Sequence, residues 1–325
     1  MKIGYFADGP WSHRALDRIL EDQQLEVVFI VVRNDHRDPV LQDYAKRMGV
    51  PCLFHQNVND DEFITQIKKH NADLFVSMSF NQILQENICK AAPLGFINCH
   101  AGALPFYRGR NILNWALING EQDFGVTVID VDGGIDTGSI ITQKFAPISI
   151  SDDYASLLEK AYELCADALY EALHLIANGR AERKKQDDIH PVGTYFPRRR
   201  QGDEYIDWNW PAKRVFDFIR AITTPGPGAR TLSKKGELAI LKSELIKNAP
   251  SYLSRVGEVT GRCERGTFVK CGDSVLLLTK VAEVQEDQTL GEAFVPQFPI
   301  GKRLGTDPYQ KMRELEERLL ALENK

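Results

Sequence analysis

The first half of the chain alternates short apolar runs with amphipathic stretches. Runs at 2–6, 25–32, 73–78 and 95–98 read as buried strands, and 12–22, 39–48, 60–69 and 110–118 carry apolar residues at helical spacing. Such alternation predicts an α/β fold, a Rossmann-like parallel sheet with helices on both faces. A longer amphipathic stretch, Asp152 to Asn178, places Leu157, Leu158, Ala161, Leu164, Cys165, Ala168, Leu169 and Leu173 on one side. It predicts a helix that packs on the sheet and stops at Gly179. The charged tract 180–188 reads as a solvated connection, and 211–223 as another amphipathic helix. From 231 to 282 the pattern changes to short alternating strands, predicting a smaller β-rich C-terminal domain. Asp307 and Pro308 then offer a helix start, and Met312, Leu315, Leu319 and Leu322 form one seam. That seam predicts a docking helix, used either at a homodimer interface or within the chain. The expected division is 1–189, a linker and helix over 190–230, and 231–325.

Composition narrows the class. The chain has 325 residues, 43% hydrophobic and 26% charged, with a formal net charge of −5. This is the balance of a globular protein long enough for two cores. No apolar run approaches the roughly 20 residues needed to span a bilayer, and the start reads as a first strand and not as a secretion signal. The expected location is the cytoplasm, with no membrane partner. Six scattered cysteines contain no Cys-x-x-Cys pair, which predicts reduced core residues and no metal site. The turn after the first strand, Ala7-Asp8-Gly9-Pro10-Trp11, lacks the Gly-x-Gly-x-x-Gly of dinucleotide binders.

The chemistry concentrates between residues 96 and 138. Asn98, His100 and Asp136 supply an amide, an imidazole and a carboxylate. When an amine attacks an acyl carbonyl, an amide N–H can stabilise the oxyanion by about 3 to 4 kcal/mol. A histidine can remove the proton of the attacking nitrogen, an assistance worth about a hundred- to ten-thousand-fold. A carboxylate on the other ring nitrogen would fix the tautomer. Cys99 lies between two of these candidates, but in an extended segment its side chain points the other way.

The pattern Asn98-Cys99-His100, Leu104-Pro105, Arg108-Gly109 and Gly133-Gly134-Ile135-Asp136-Thr137-Gly138 resembles the folate-dependent formyltransferase family. One departure is Gly102-Ala103, where many members carry Ser-Leu. The resemblance implies that Asn98, His100 and Asp136 form the catalytic triad and that 10-formyltetrahydrofolate is the co-substrate. It further implies a folate pocket built from Met78, Phe80, Gln82 and Ile83, in the segment FVSMSFNQIL, with Asp132 from the later loop.

The acceptor is read from residues 190–210 and their neighbours. Tyr195, Phe196 and Trp208 can stack on a nucleobase, while Arg198, Arg199 and Arg200 offer forked donors for a diphosphate. Arg108 and Arg220 complete the candidate acceptor site. The segment resembles that of the nucleotide-sugar N-formyltransferases. The expected reaction is therefore formylation of a dTDP- or UDP-linked amino-deoxy sugar for O-antigen or another surface polysaccharide. The alternative is methionyl-tRNA formyltransferase. Against it stand the net charge of −5, which argues for no nucleic-acid partner, and the short loop Arg33 to Pro39, mixed in sign. A catalytically silent sensor would not need a general base. Hydrolysis of the formyl-folate by water is set aside because the family's hydrolases place a further domain before the catalytic one.

Overall fold

The computed structural model describes residues 1–305 together with Met312, Glu316, Leu319, Leu320 and Leu322. The expected terminal helix lies largely outside the described residues. Of its seam, Met312, Leu319 and Leu322 are helical and exposed.

The chain forms two compact units. The first comprises Met1–Ala116, Glu121–Ile150 and Ser156–Arg198; the second comprises Leu117–Gly120, Ser151–Ala155 and Arg199–Lys325. The segment 190–198 thus belongs to the first unit, and 199–230 to the second.

In the first unit the elements run β1 (Lys2–Ala7), α1 (Gly9–Leu20), β2 (Glu26–Val31), α2 (Pro39–Met48), β3 (Cys52–Leu53), α3 (Asp61–Lys68), β4 (Leu74–Met78), α4 (Glu86–Cys89) and β5 (Phe96–His100). They continue with β6 (Arg108–Gly109), α5 (Ile112–Ile118), β7 (Asp123–Asp130), β8 (Ile140–Pro147), α6 (Tyr154–Ala177) and β9 (Tyr195–Phe196). Seven strands form one sheet in the order β3-β2-β1-β4-β5-β7-β8. The first five pair in parallel, as the alternation predicts. β7 and β8 are added antiparallel, so the sheet is mostly parallel. Their connection, residues 131–139, is a loop and not a crossover helix, and it carries Asp132 and Asp136.

Strand alternation separates two faces. Phe6, Phe29, Phe75 and Phe96 meet on one face, with ring centroids 4.9 to 6.0 Å apart. There they are buried with Phe63, Ile64 and Ile67 of α3 and Ile88 of α4. Each such ring removes well over 100 Å² from water, the dominant stabilisation of this layer. On the other face Tyr5 donates to the carbonyl of Ser12 in α1 at 2.9 Å, and Trp11 of α1 meets Tyr162 of α6 edge-on at 4.7 Å. α2 is started by Asp38, whose Oδ1 accepts from the amides of Val40 and Leu41.

The second unit holds α7 (Ala212–Ile222) and an antiparallel sheet of β10 (Ala229–Ser233), β11 (Gly236–Leu245), β12 (Val259–Cys263), β13 (Gly266–Lys270) and β14 (Val275–Glu283), in the order β10-β11-β14-β13-β12. Leu238, Ile240, Val259, Val269, Leu276, Leu278 and Val281 are buried in it.

All six cysteines are free. Burial pushes the Cys89 thiol up to about 11 and that of Cys271 up to about 12, so both stay protonated and unreactive at neutral pH.

Candidate active site

β5 presents Asn98 and His100 on one face and Cys99 on the other. Cys99 Sγ donates to the carbonyl of Cys165 in α6 at 3.6 Å, away from the site. His100 is 9% exposed. Its Nε2 lies 2.7 Å from the carbonyl oxygen of Tyr107, and its Nδ1 lies 3.7 Å from Asp136 Oδ2. A carbonyl only accepts, so Nε2 carries the hydrogen and Nδ1 holds the free lone pair. The sequence argument gave the carboxylate the task of fixing the tautomer; the Tyr107 carbonyl performs it. Asp136 stands beyond hydrogen-bond range, with its carboxylate facing Nδ1.

Two features hold this arrangement. A Cβ on Gly102 would come 2.4 Å from the Tyr107 carbonyl oxygen and 2.5 Å from His100 Nε2, so the 102–107 loop closes over the imidazole only because residue 102 is glycine. Asp136 has φ of +54°, a left-handed conformation that Asp tolerates better than most residues. Its Oδ2 accepts from the Gly109 amide at 2.9 Å.

The segment 186–196 straps this loop. The Thr194 amide donates to the Pro105 carbonyl and the Arg108 amide to the Thr194 carbonyl, and Arg108 and Gly109 pair with Tyr195 and Phe196 through β6 and β9. The Phe196 ring stacks on Tyr107 at 4.8 Å and 13° and tilts against Trp115 at 5.6 Å. Tyr195 is 55% exposed. Arg198 is also exposed.

The proposed acceptor residues thus divide. Arg108, Tyr195, Phe196 and Arg198 gather around the strap. Trp208 and Arg220 are structural residues of the second unit. Trp208 is 4% exposed with Nε1 donating to Thr231 Oγ1 at 2.9 Å, so neither ring face is open for a base. Arg220 is 8% exposed and donates to Asp217 Oδ1 and the Asp152 carbonyl, each at 2.9 Å. Burial lowers the pKa of Arg199.

The folate candidates lie on and beyond the end of β4. Met78 is buried, and Phe80 packs on the aromatic core with its ring 5.6 Å from Phe6. Gln82 accepts from the Val58 amide and donates to the His55 carbonyl, both at 2.9 Å, so its side chain braces the loop. Ile83 is 72% exposed, and its carbonyl is held by Asn59 Nδ2. Asp132 Oδ1 accepts from the Gly134 amide and from Thr137 Oγ1. Asn81 Oδ1 is buried without a hydrogen-bond partner, an acceptor that fits a ligand rich in N–H donors.

Sequence reasoning missed Gln186. The tract 180–188 is not all solvated: Gln186 is 3% exposed, and its amide bonds Arg108, Asp136 and Gly138. A neutral amide among charged neighbours, KKQDD, is its sole mark in the sequence. Among the described residues no group of His, Cys, Asp or Glu could hold a metal ion, and no helix is long and apolar enough to cross a membrane.

Comparison with known proteins bears on what this site does. Residues 1–173 match the family model described as formyl transferase, and residues 199–298 match the formyl transferase C-terminal domain. A methionyl-tRNA formyltransferase of Geobacter metallireducens is 32% identical over 243 residues, covering 75% of this chain and 76% of its own length. That of Geobacter sulfurreducens is 31% identical over 316 residues, covering 94% and 95%. An N-formyltransferase of Helicobacter canadensis, solved in complex with folinic acid and dTDP-3-aminofucose, shares the fold at a TM-score of 0.62. It is 21% identical, with 85% of this chain and 98% of that one covered.

These relatives overturn the expected nucleotide-sugar reaction and its O-antigen role, because the sequence likeness over most of the chain is to enzymes named for methionyl-tRNA. Net charge does not decide between the two acceptors, because it sums the whole surface whereas phosphate binding needs only a local patch. The 33–39 loop does not decide it either. Arg33 is bonded to Asp8 and Asp35, and that pairing holds the Asp35 carboxyl down at about 2, so the mixed signs reflect an internal network. With the N-terminal model matching more than half of the chain and the C-terminal model following it, the chain belongs to the formyl transferase family.

Proposed function

We propose that this protein transfers the formyl group of 10-formyltetrahydrofolate to the amino group of methionyl-tRNA. The observation that carries the acceptor is the likeness, at about 30% identity over 75 to 94% of the chain, to methionyl-tRNA formyltransferases. In this reading the loop after β4, with the unpartnered Asn81 acceptor and Asp132, receives the pterin. Asn98 donates to the formyl oxygen as it gains charge, His100 Nδ1 takes the proton from the attacking amine, and that proton passes to N10 of tetrahydrofolate as its bond to the formyl carbon breaks. Asp136 stabilises the imidazolium. The exposed Tyr195 ring offers a stacking surface for an unpaired base of an acceptor end, and Arg198 a phosphate contact. Transfer is direct, without a covalent enzyme intermediate.

The test is incubation of purified protein with 10-formyltetrahydrofolate and methionyl-tRNA, followed by mass analysis of the amino acid released from the tRNA. Formylmethionine is the expected product. Absence of formylmethionine with a folded, folate-binding protein would overturn the acceptor. Replacing Asn98 with alanine should lower turnover about a hundred- to a thousandfold through the lost oxyanion donor. Unchanged turnover in that variant would remove Asn98 from the chemistry.

A further inference from the structure

We propose that Gln186 is a positioning residue for formyl transfer, setting the catalytic carboxylate against the imidazole by clamping the Asp136 loop to Arg108. This inference rests on the reading of Asp136 as part of the catalytic triad.

Every hydrogen-bonding group of the Gln186 amide is used. Nε2 donates to the Asp136 carbonyl at 2.8 Å and to the Gly138 carbonyl at 2.9 Å. Oε1 accepts from Arg108 Nε at 3.0 Å and Nη2 at 2.7 Å. The amide of the next residue, Gly109, donates to Asp136 Oδ2 at 2.9 Å. A closed circuit therefore runs from the 131–139 loop through Gln186 to Arg108 and Gly109, and back to the Asp136 carboxylate. The circuit matters because the loop does not hold itself by regular pairing. Asp136 is left-handed, and a Cβ on Gly138 would come 1.7 Å from the Asp130 carbonyl oxygen, so the backbone turns tightly there. Asp136 meets His100 at 3.7 Å with no direct hydrogen bond to fix that separation. The Gly109 amide holds the carboxylate end and the loop backbone holds the other, and Gln186 grips that backbone at residues 136 and 138. The Gln186 side chain is 3% exposed, and its bond to the Gly138 carbonyl is fully buried, so water competes little for it.

Glutamate at this position keeps the shape and the bond to Arg108 but turns a carboxylate oxygen toward two carbonyls. Leucine removes all four bonds. Both Gln186→Glu and Gln186→Leu should lower kcat by about tenfold to a hundredfold, the penalty of a misplaced catalytic group, with the KM for folate changed less than about twofold. Gln186→Leu combined with Asp136→Asn should be no slower than Asp136→Asn alone, because the clamp acts through the carboxylate. Losses that multiply in the double variant, or a loss confined to KM, would overturn the proposal. Amide hydrogen exchange at Gly109 supplies a readout without any acceptor: protection is expected in the native protein and its loss in both Gln186 variants. Retained protection in the variants would overturn the clamp. Failure of the native enzyme to formylate methionyl-tRNA would refute the acceptor and leave this measurement intact.

Discussion

His100→Ala should reduce formyl transfer by at least about a hundredfold while leaving folate binding within about twofold of the native enzyme. The magnitude is that of general-base assistance. Its location follows from geometry: Nε2 is committed to the Tyr107 carbonyl, Nδ1 carries the lone pair, and Asp136 faces that nitrogen at 3.7 Å. The substitution also removes the His100 bond to the Tyr107 carbonyl, so the variant should be compared by circular dichroism and by titration with a folate analogue before rates are interpreted. His100→Gln, whose Nε2 can take the place of the imidazole Nε2 and donate to that carbonyl, separates the two effects. If the loss is chemical, both variants are equally slow; if it stems from a displaced loop, the glutamine recovers activity. Turnover near the native value in His100→Ala would remove the base assignment altogether.

The largest effect on stability is expected from Arg220→Ala. The guanidinium bonds Asp217 and the Asp152 carbonyl, and the paired side chains are only 9% and 4% exposed. Removing one partner of a buried pair leaves the other charge desolvated, at a cost of about 3 kcal/mol, and Lys213 relieves Asp217 only in part because its own ammonium is half exposed. Urea unfolding should show a lower midpoint, with kinetic constants of the remaining folded enzyme unchanged. Unchanged stability together with a weakened acceptor KM would return Arg220 to the acceptor site.

The fold was legible where one local pattern decides the element. The strands expected at 2–6 and 73–78 and the helices expected at 39–48 and 152–178, the last observed as Tyr154–Ala177, rest on strong periodicity and clear stops such as Gly179. The antiparallel addition of β7 and β8 was not legible, because pairing direction depends on where a chain returns and not on its apolar spacing. Asn98, His100 and Asp136 were legible as candidates through their motif, whereas the hydrogen-bond partner of His100 was not. The Tyr107 carbonyl is a backbone atom, and no side-chain pattern records it. Trp208 and Arg220 misled for a related reason. An indole and a guanidinium serve a ligand or a core equally well, and burial, which separates the two roles, is a tertiary property. Gln186 was hidden by its charged neighbours.

The composition of the second unit bears on how the chain matures. Leu117–Gly120 and Ser151–Ala155 belong to it although they lie within the sequence of the first. During synthesis both stretches leave the ribosome well before α7 and the β10–β14 sheet exist, so their native environment arrives late. The Asp152 carbonyl in particular waits for Arg220. A nascent chain halted at Arg198 would hold those two stretches before the rest of their unit exists, which makes that boundary a poor place to cut the protein in two.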